Sequence, residues 1–147
     1  MFRGTGLLFI KGRNDDAQVL LARRDGPPFD GKWTVPSISY EKGKTPWPMA
    51  VQAAKESVGL PPKAEFTQDV LDTPGERQRL VTRIPLIYRF DVFLAPVEEY
   101  PESWPESHEG YSEAEWFGLD ELPEDTVWGM KRLFKQARKF IRERPDR

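Results

Sequence analysis

The side chains of this 147-residue chain that are suited to chemistry are mainly carboxylates. The chain has no cysteine and one histidine, His108. Disulfides, thiolate nucleophiles and Cys-ligated zinc are therefore excluded, and so is a multi-histidine metal site. A Ser-His-Asp triad would have to use His108. Of the 24 Asp and Glu residues, 11 lie between Val97 and Asp125, where no Lys or Arg occurs. Carboxylates are ligands for hard metal ions and carriers of protons, so the chain has an ample supply of groups for metal chemistry.

Length and charge limit the kinds of protein that this chain can be. The length predicts one domain over residues 1–147. The net charge of -2 argues against a protein that coats nucleic acid or an anionic membrane through bulk charge. The apolar run Gly6–Ile10 is much shorter than the roughly 20 residues that span a bilayer. We therefore expect a globular, cytoplasmic protein with no membrane partner.

The first half of the chain predicts strands followed by a helix. Apolar runs at Thr5–Ile10 and Ala17–Ala22 flank a polar turn, which favours a β-hairpin. Lys32–Val35 predicts a third strand. Apolar residues at helical spacing predict a helix over Met49–Val58, capped by Thr45 and stopped by Gly59.

The second half predicts strands and a final amphipathic helix. Strict alternation of apolar residues from Ile84 to Leu94 predicts a long strand, and Glu113–Phe117 predicts the last one. Leu119–Leu122 predicts a short turn of helix. The apolar stripe Val127–Ile141 predicts a helix that lies on a sheet, with a basic outer face. This face either meets the acidic interval by charge attraction or touches nucleic acid, and we favour the first interpretation.

Four segments in order resemble the Nudix (MutT-like) hydrolase family. Gln18–Arg24, Gly31–Pro36 and Lys55–Leu60 resemble the front half of such an enzyme, and Glu115–Pro123 is similar to the family's late tryptophan strand. The resemblance implies an α+β fold, a Nudix-type α/β/α sandwich with a mixed sheet. It also implies Mg²⁺-dependent hydrolysis of nucleoside diphosphate derivatives.

The family's catalytic box reads G-x5-E-x7-R-E-U-x-E-E-x-G-U, where U is aliphatic. Helical carboxylates at i, i+3 and i+4 share one face and can hold Mg²⁺ against a pyrophosphate. We align the box on this chain by its last two positions, Gly59 and Leu60. Its four glutamate positions then hold Lys44, Ala53, Glu56 and Ser57, while Ile38 replaces its first glycine and Gln52 its arginine. One carboxylate attracts divalent ions weakly, so the box predicts impaired or altered catalysis.

The resemblance implies roles for three carboxylates. Glu56 would be a metal ligand and catalytic carboxylate, Glu109 a loop glutamate acting as base or ligand, and Glu113 a further metal ligand. The simpler alternatives are an exposed carboxylate near the end of a helix for Glu56 and a solvated loop for Glu109.

Three other residues are candidates for substrate binding. Arg83 and Arg89 fall on the less apolar face of their predicted strand, where they would line a cleft or pair with Asp91. Trp33 would stack on a base, or else belong to the core.

Two functions follow. The first is a Nudix-type phosphohydrolase that uses Mg²⁺ or Mn²⁺ with impaired or altered catalysis. The second is a non-catalytic Nudix domain that binds a nucleotide-like ligand or a protein partner and needs no metal. A small nucleotide-like molecule is the partner we expect, nucleic acid is not expected, and a homodimer stays open.

Overall fold

The computed structural model describes residues 2–27, 29–61, 79–97, 100–127 and 129–143. Within these ranges the chain forms seven strands and two α-helices, together with a short 3-10 helix at Asn14–Asp16. The elements in chain order are β1 Phe2–Lys11, β2 Gln18–Arg24, β3 Trp33–Thr34, β4 Ser37–Ser39, α1 Pro46–Ser57, β5 Arg79–Ile84, β6 Tyr88–Pro96, β7 Tyr111–Gly118 and α2 Met130–Glu143.

The strands form one mixed sheet. Its order is β3-β2-β1-β6-β5, with β4 also on β1 and β7 also on β2. β1 and β6 run parallel from Phe2↔Tyr88 to Ile10↔Pro96, and the other pairs are antiparallel. The predicted α+β fold with a mixed sheet is confirmed.

The two faces of the sheet carry separate cores, because successive side chains of a strand point to opposite faces. In β1, Leu7 and Phe9 pack with the α1 side, whereas Leu8 and Ile10 pack with the α2 side. The α1-side core includes Trp47, Ala50, Val51, Ala54, Val58, Phe93 and Trp104, and the α2-side core includes Tyr88, Phe90, Val92, Met130, Leu133, Phe134, Ala137 and Ile141. The result is an α/β/α sandwich.

The hairpin of β1 and β2 is confirmed by the antiparallel pair Ile10↔Val19. The single strand predicted from Ile84 is wrong at its start. Ile84 ends β5 and pairs with Tyr88 across a three-residue turn, in which Leu86 has φ 66° and is 91% exposed. The apolar alternation continues through this turn, so the period of two does not reveal the reversal.

The ends of the elements show two further differences. Thr45 occupies the N-cap position of α1 but makes no side-chain capping hydrogen bond. Leu119–Leu122 contains a turn closed by the Glu121 N–H donating to the Gly118 carbonyl, rather than a turn of helix. Gly59 does end α1 as predicted, with φ 79° and its N–H donating to the Ala54 carbonyl.

Two arginines of the basic face of α2 lie beside acidic residues. Arg138 lies 3.5 Å from Asp120 of the acidic interval, and Arg142 lies 3.6 Å from Asp15. Among the described residues, neither helix is long and apolar enough to cross a membrane.

Candidate functional site

Helix α1 is packed against the sheet over most of its surface. Its buried residues are Trp47, Met49, Ala50, Val51, Ala53, Ala54 and Ser57. Ala53 is 1% exposed and Ser57 is fully buried, with its hydroxyl donating to the Ala53 carbonyl at 2.7 Å. Two of the positions where the family's box has glutamates are therefore interior positions of this structure.

Glu56 is the carboxylate of α1 that reaches solvent. Its Oε1 accepts a hydrogen bond from Gln52 Nε2 at 3.0 Å.

Tyr111, at the start of β7, is influenced electrostatically by Glu56. Burial raises the pKa of Tyr111 above its ordinary value, the Arg24 guanidinium lowers it, and the charge of Glu56 raises it further. The Arg24 guanidinium carbon lies 5.6 Å from the centre of the Tyr111 ring. These three residues form what we call the Arg24–Glu56–Tyr111 cluster, at the C-terminal end of α1.

The loop between β6 and β7 covers that end of α1. Trp104 Nε1 donates to the Gly59 carbonyl at 2.9 Å, the Glu106 N–H to Val58 at 2.9 Å and the His108 N–H to Ser57 at 3.1 Å. Carbonyls at the end of a helix have no partner inside the helix, so the loop satisfies them. His108 Nε2 lies 2.9 Å from Glu106 Oε2, and the only histidine is thus part of the loop that closes α1.

Glu109 sits in a tight turn next to the cluster. The Tyr111 N–H donates to the His108 carbonyl, and the Asp25 N–H donates to the Gly110 carbonyl. This turn holds Glu109 two residues before Tyr111, with its side chain exposed.

Glu113 lies on the other face of the sheet. It pairs with Arg23 in the β2–β7 ladder, and it shares a face with Phe117, which packs on the α2-side core. Ala114 and Trp116 point the opposite way, toward the α1-side core. The structure therefore does not bring Glu113 to Glu56 as the predicted metal site required. Within the described ranges, no group of three or more His, Asp or Glu side chains is placed to hold a metal ion.

Trp33 lies in the α2-side core. It is 8% exposed and meets Phe117 edge to face at 4.9 Å, so little of its ring is open to a ligand.

Arg89 is held by Asp91. Arg89 Nε donates to Asp91 Oδ1 at 2.9 Å, and Arg3 Nη2 lies 3.6 Å from Asp91 Oδ2. Asp91 is 1% exposed, so this ion-paired group is part of the fold on the α1 side. Arg83 is the β5 partner of Arg89 in the ladder, and its side chain lies outside the described part of the structure.

The structure adds residues that the sequence pattern did not single out. Arg24 is the last residue of the Gln18–Arg24 segment that carried the resemblance, but Tyr111 becomes its partner only through the pairing of β2 with β7. In the loop before α1, the Tyr40 hydroxyl donates to the Lys44 carbonyl at 2.8 Å, and the Arg3 guanidinium lies 3.9 Å from the centre of the Tyr40 ring. These contacts fasten the loop that contains Lys44, the position where the family's box has its first glutamate.

Several solved structures have the same fold. RenU, a Nudix hydrolase from M. smegmatis, is 21% identical with a TM-score of 0.69, over 98% of this chain and 88% of RenU. An Ap4A hydrolase from C. elegans, solved as a binary complex, is 17% identical with a TM-score of 0.67, over 95% of this chain and 97% of its own. The C-terminal domain of mouse MUTYH, solved in complex with human PCNA, is 21% identical with a TM-score of 0.64, over 95% and 88% of the two chains.

Comparison with curated proteins gives no match. The family model described as the NUDIX domain matches residues 3–137, which is most of the chain. This protein therefore belongs to the Nudix family.

Proposed function

We propose that this Nudix protein binds a nucleotide-like ligand and that its α1 does not support the family's metal-dependent hydrolysis. The observation that carries the proposal is that two glutamate positions of the box hold the buried residues Ala53 and Ser57, so that Glu56 is the carboxylate that α1 exposes. The proposed setting is a cytoplasmic protein with a small-molecule partner.

The donors present on α1 do not fit the magnesium ion that the family's chemistry implies. Mg²⁺ requires near-octahedral coordination by oxygens, and the family's box provides them with several carboxylates on one face of the helix. Glu56 supplies one carboxylate and already accepts from Gln52. Lys44 brings a positive charge to another glutamate position of the box. We therefore derive no catalytic step through a metal ion.

The Arg24–Glu56–Tyr111 cluster supports a ligand with phosphate charge. A guanidinium presents a rigid set of donors that matches phosphate oxygens, and the half-buried Tyr111 ring beside it leaves only part of its surface for a base. Among proteins of similar fold, one is an Ap4A hydrolase, and the MUTYH domain was solved in complex with PCNA. The fold is thus compatible with a nucleotide ligand and with a protein partner, and the arginine and tyrosine favour the nucleotide.

A second candidate is a slow phosphohydrolase that uses Mg²⁺ or Mn²⁺. It is favoured by the exposure of both Glu56 and Glu109, by the electrostatic effect of Glu56 on Tyr111, and by the position of Glu109 two residues before Tyr111. In this case Glu56 would be the essential carboxylate and Glu109 a base or second ligand.

One set of assays separates the two candidates. Thermal stabilisation and phosphate release are measured over a panel of nucleoside diphosphate derivatives, with and without Mg²⁺. We expect stabilisation by at least one derivative, with no metal required, and no release of phosphate. Arg24→Met should reduce the stabilisation, whereas Arg23→Met, on the opposite face of β2, should not. Turnover that Glu56→Gln abolishes would establish the second candidate instead, and no stabilisation by any derivative would refute the first.

A further inference from the structure

A groove lies at the edge of the sheet where β1 and β6 end and β2 begins. Its volume is about 520 Å³, which is within the range of small-molecule sites. Its polar side chains are Lys11, Arg13, Asp16, Gln18 and Tyr100, and Ile10 and Val97 are among its apolar lining residues.

The ammonium group of Lys11 is held in a fixed position in this groove. Its Nζ donates to the Tyr100 hydroxyl at 3.0 Å and lies 4.6 Å from the centre of the Trp116 ring. Tyr100 is itself fixed, because it stacks on Trp116 with ring centres 5.8 Å apart and meets Trp104 edge to face at 5.2 Å. An ammonium group has three donors, and Tyr100 accepts one of them. The cation is therefore ordered before any ligand arrives, which lowers the entropic cost of binding.

The described lining residues of the groove carry a net positive charge, which suits an anion. Among them, Lys11 and the exposed Arg13 contribute two positive charges, and Asp16 contributes one negative charge. The side-chain amide of Gln18 adds both a donor and an acceptor. Apolar residues beneath these groups would cover the uncharged part of a ligand and strengthen the charge contacts by excluding water.

We propose that this groove is a binding site for a small molecule that carries a phosphoryl or carboxylate group, with Lys11 as its principal contact. The site is separate from the Arg24–Glu56–Tyr111 cluster. Gln18 and Arg24 stand at opposite ends of β2, six residues and about 20 Å apart. The inference is therefore independent of the proposed function.

Titration by NMR tests the site with two simple anions, inorganic phosphate and citrate, at constant ionic strength. The reporter is the indole N–H resonance of Trp116, assigned with Trp116→Phe, since the ring lies directly below the Lys11 ammonium. We expect a saturable shift with at least one of the anions, and the better anion identifies the group that is recognised. Because a charge-assisted hydrogen bond is lost, Lys11→Met should weaken binding about ten- to a hundredfold.

Lys42→Met is the matched control, because Lys42 is an exposed lysine of the loop that follows Tyr40, and the Tyr40 N–H donates to the Arg3 carbonyl at the opposite end of β1 from Lys11. It should leave the affinity unchanged. Equal affinities of the Lys11 and Lys42 variants would overturn the proposal, as would the absence of a saturable shift with both anions at millimolar concentration. If Lys11→Met does not fold, Lys11→Gln decides, because it removes the charge but keeps a hydrogen-bond donor for Tyr100: weaker binding supports the site, and unchanged binding overturns it.

Discussion

Helices α1 and α2 pack on opposite faces of the same sheet but expose very different surfaces. In α2, Met130, Leu133, Phe134, Ala137 and Ile141 are buried at helical spacing, and the remaining face is charged. In α1, seven of 12 residues are buried, and the exposed strip consists largely of Gln52, Lys55 and Glu56. A metal-dependent Nudix helix needs a face of several carboxylates. Here α1 contributes mainly buried residues to the core, and α2 carries most of the exposed charged side chains of the two helices.

The largest difference between the helices should appear when a carboxylate is added to each. Ala53→Glu places a charge at a position that is 1% exposed, and we expect a loss of about 4 kcal/mol in the free energy of unfolding. Lys135→Glu on the exposed face of α2 should change it by at most about 0.5 kcal/mol. Urea denaturation measures both. If Ala53→Glu were as stable as the Lys135 variant, the burial of α1 described above would be wrong.

A second contrast concerns the glycine that precedes α2. Gly129 has φ 89°, and a Cβ at this position would come within 2.5 Å of the Tyr88 hydroxyl. Gly129→Ala should therefore cost about 3 kcal/mol, from backbone strain together with the steric overlap.

Gly26→Ala is the control for strain alone, because Gly26 has φ 106° and a Cβ added there would meet nothing within 4 Å. We expect a loss of about 1 kcal/mol. Thermal unfolding of the two variants compares the effects, and equal losses would show that Tyr88 does not pack against the start of α2.

Acidic residues on the two sides of the sheet should also differ in how much they contribute to the free energy of unfolding. Asp91, on the α1 side, is 1% exposed and pairs with Arg3 and Arg89. Asp91→Asn removes the charge that both guanidinium groups face, and should cost about 2 kcal/mol.

Asp120, which pairs with Arg138 of α2, has a side chain that is 73% exposed. Asp120→Asn should cost less than about 1 kcal/mol, as exposed pairs do. Urea denaturation of the Asp91 and Asp120 variants at low and high salt measures the two losses in the free energy of unfolding. A larger loss for Asp120 than for Asp91 would reverse the comparison.

The smallest predicted effect is a change in the titration of Tyr111. Its pKa lies above the ordinary value of 10.0, chiefly through burial, so its neutral form is favoured in the folded chain and stability falls as the pH rises beyond that value. Glu56→Gln should lower the pKa of Tyr111, and Arg24→Met should raise it. Tyrosinate absorbance, corrected with Tyr111→Phe, measures the shifts. An unchanged titration in both variants would mean that the three residues do not form a cluster.

Local signals in the sequence were sufficient for much of the fold. The polar turn after Ile10 and the stop at Gly59 are encoded by neighbouring residues, and both predictions are confirmed. The turn at Leu86 was missed because apolar alternation continued through it. Alternation of apolar residues indicates extended strands. It cannot show that the chain reverses direction when the alternation continues through the turn.

The candidate site depended on contacts that no local pattern contains. Glu56 was identified from its place in the box. Its neighbour Tyr111 is positioned by the register of β7 on β2, far away in the chain. The same register places Glu113 on the α2 side. The sequence pattern supplied candidate carboxylates, and the sheet determines which of them share a face.

Phosphorus NMR of the protein with a nucleoside diphosphate derivative and Mg²⁺ tests the central claim most directly, because one spectrum reports both binding and hydrolysis. We predict that the ligand resonances shift or broaden as protein is added, and that no product resonance appears with time. New phosphate ester or inorganic phosphate resonances that grow with the natural chain and not with Glu56→Gln would contradict the account and show that α1 is a working catalytic helix.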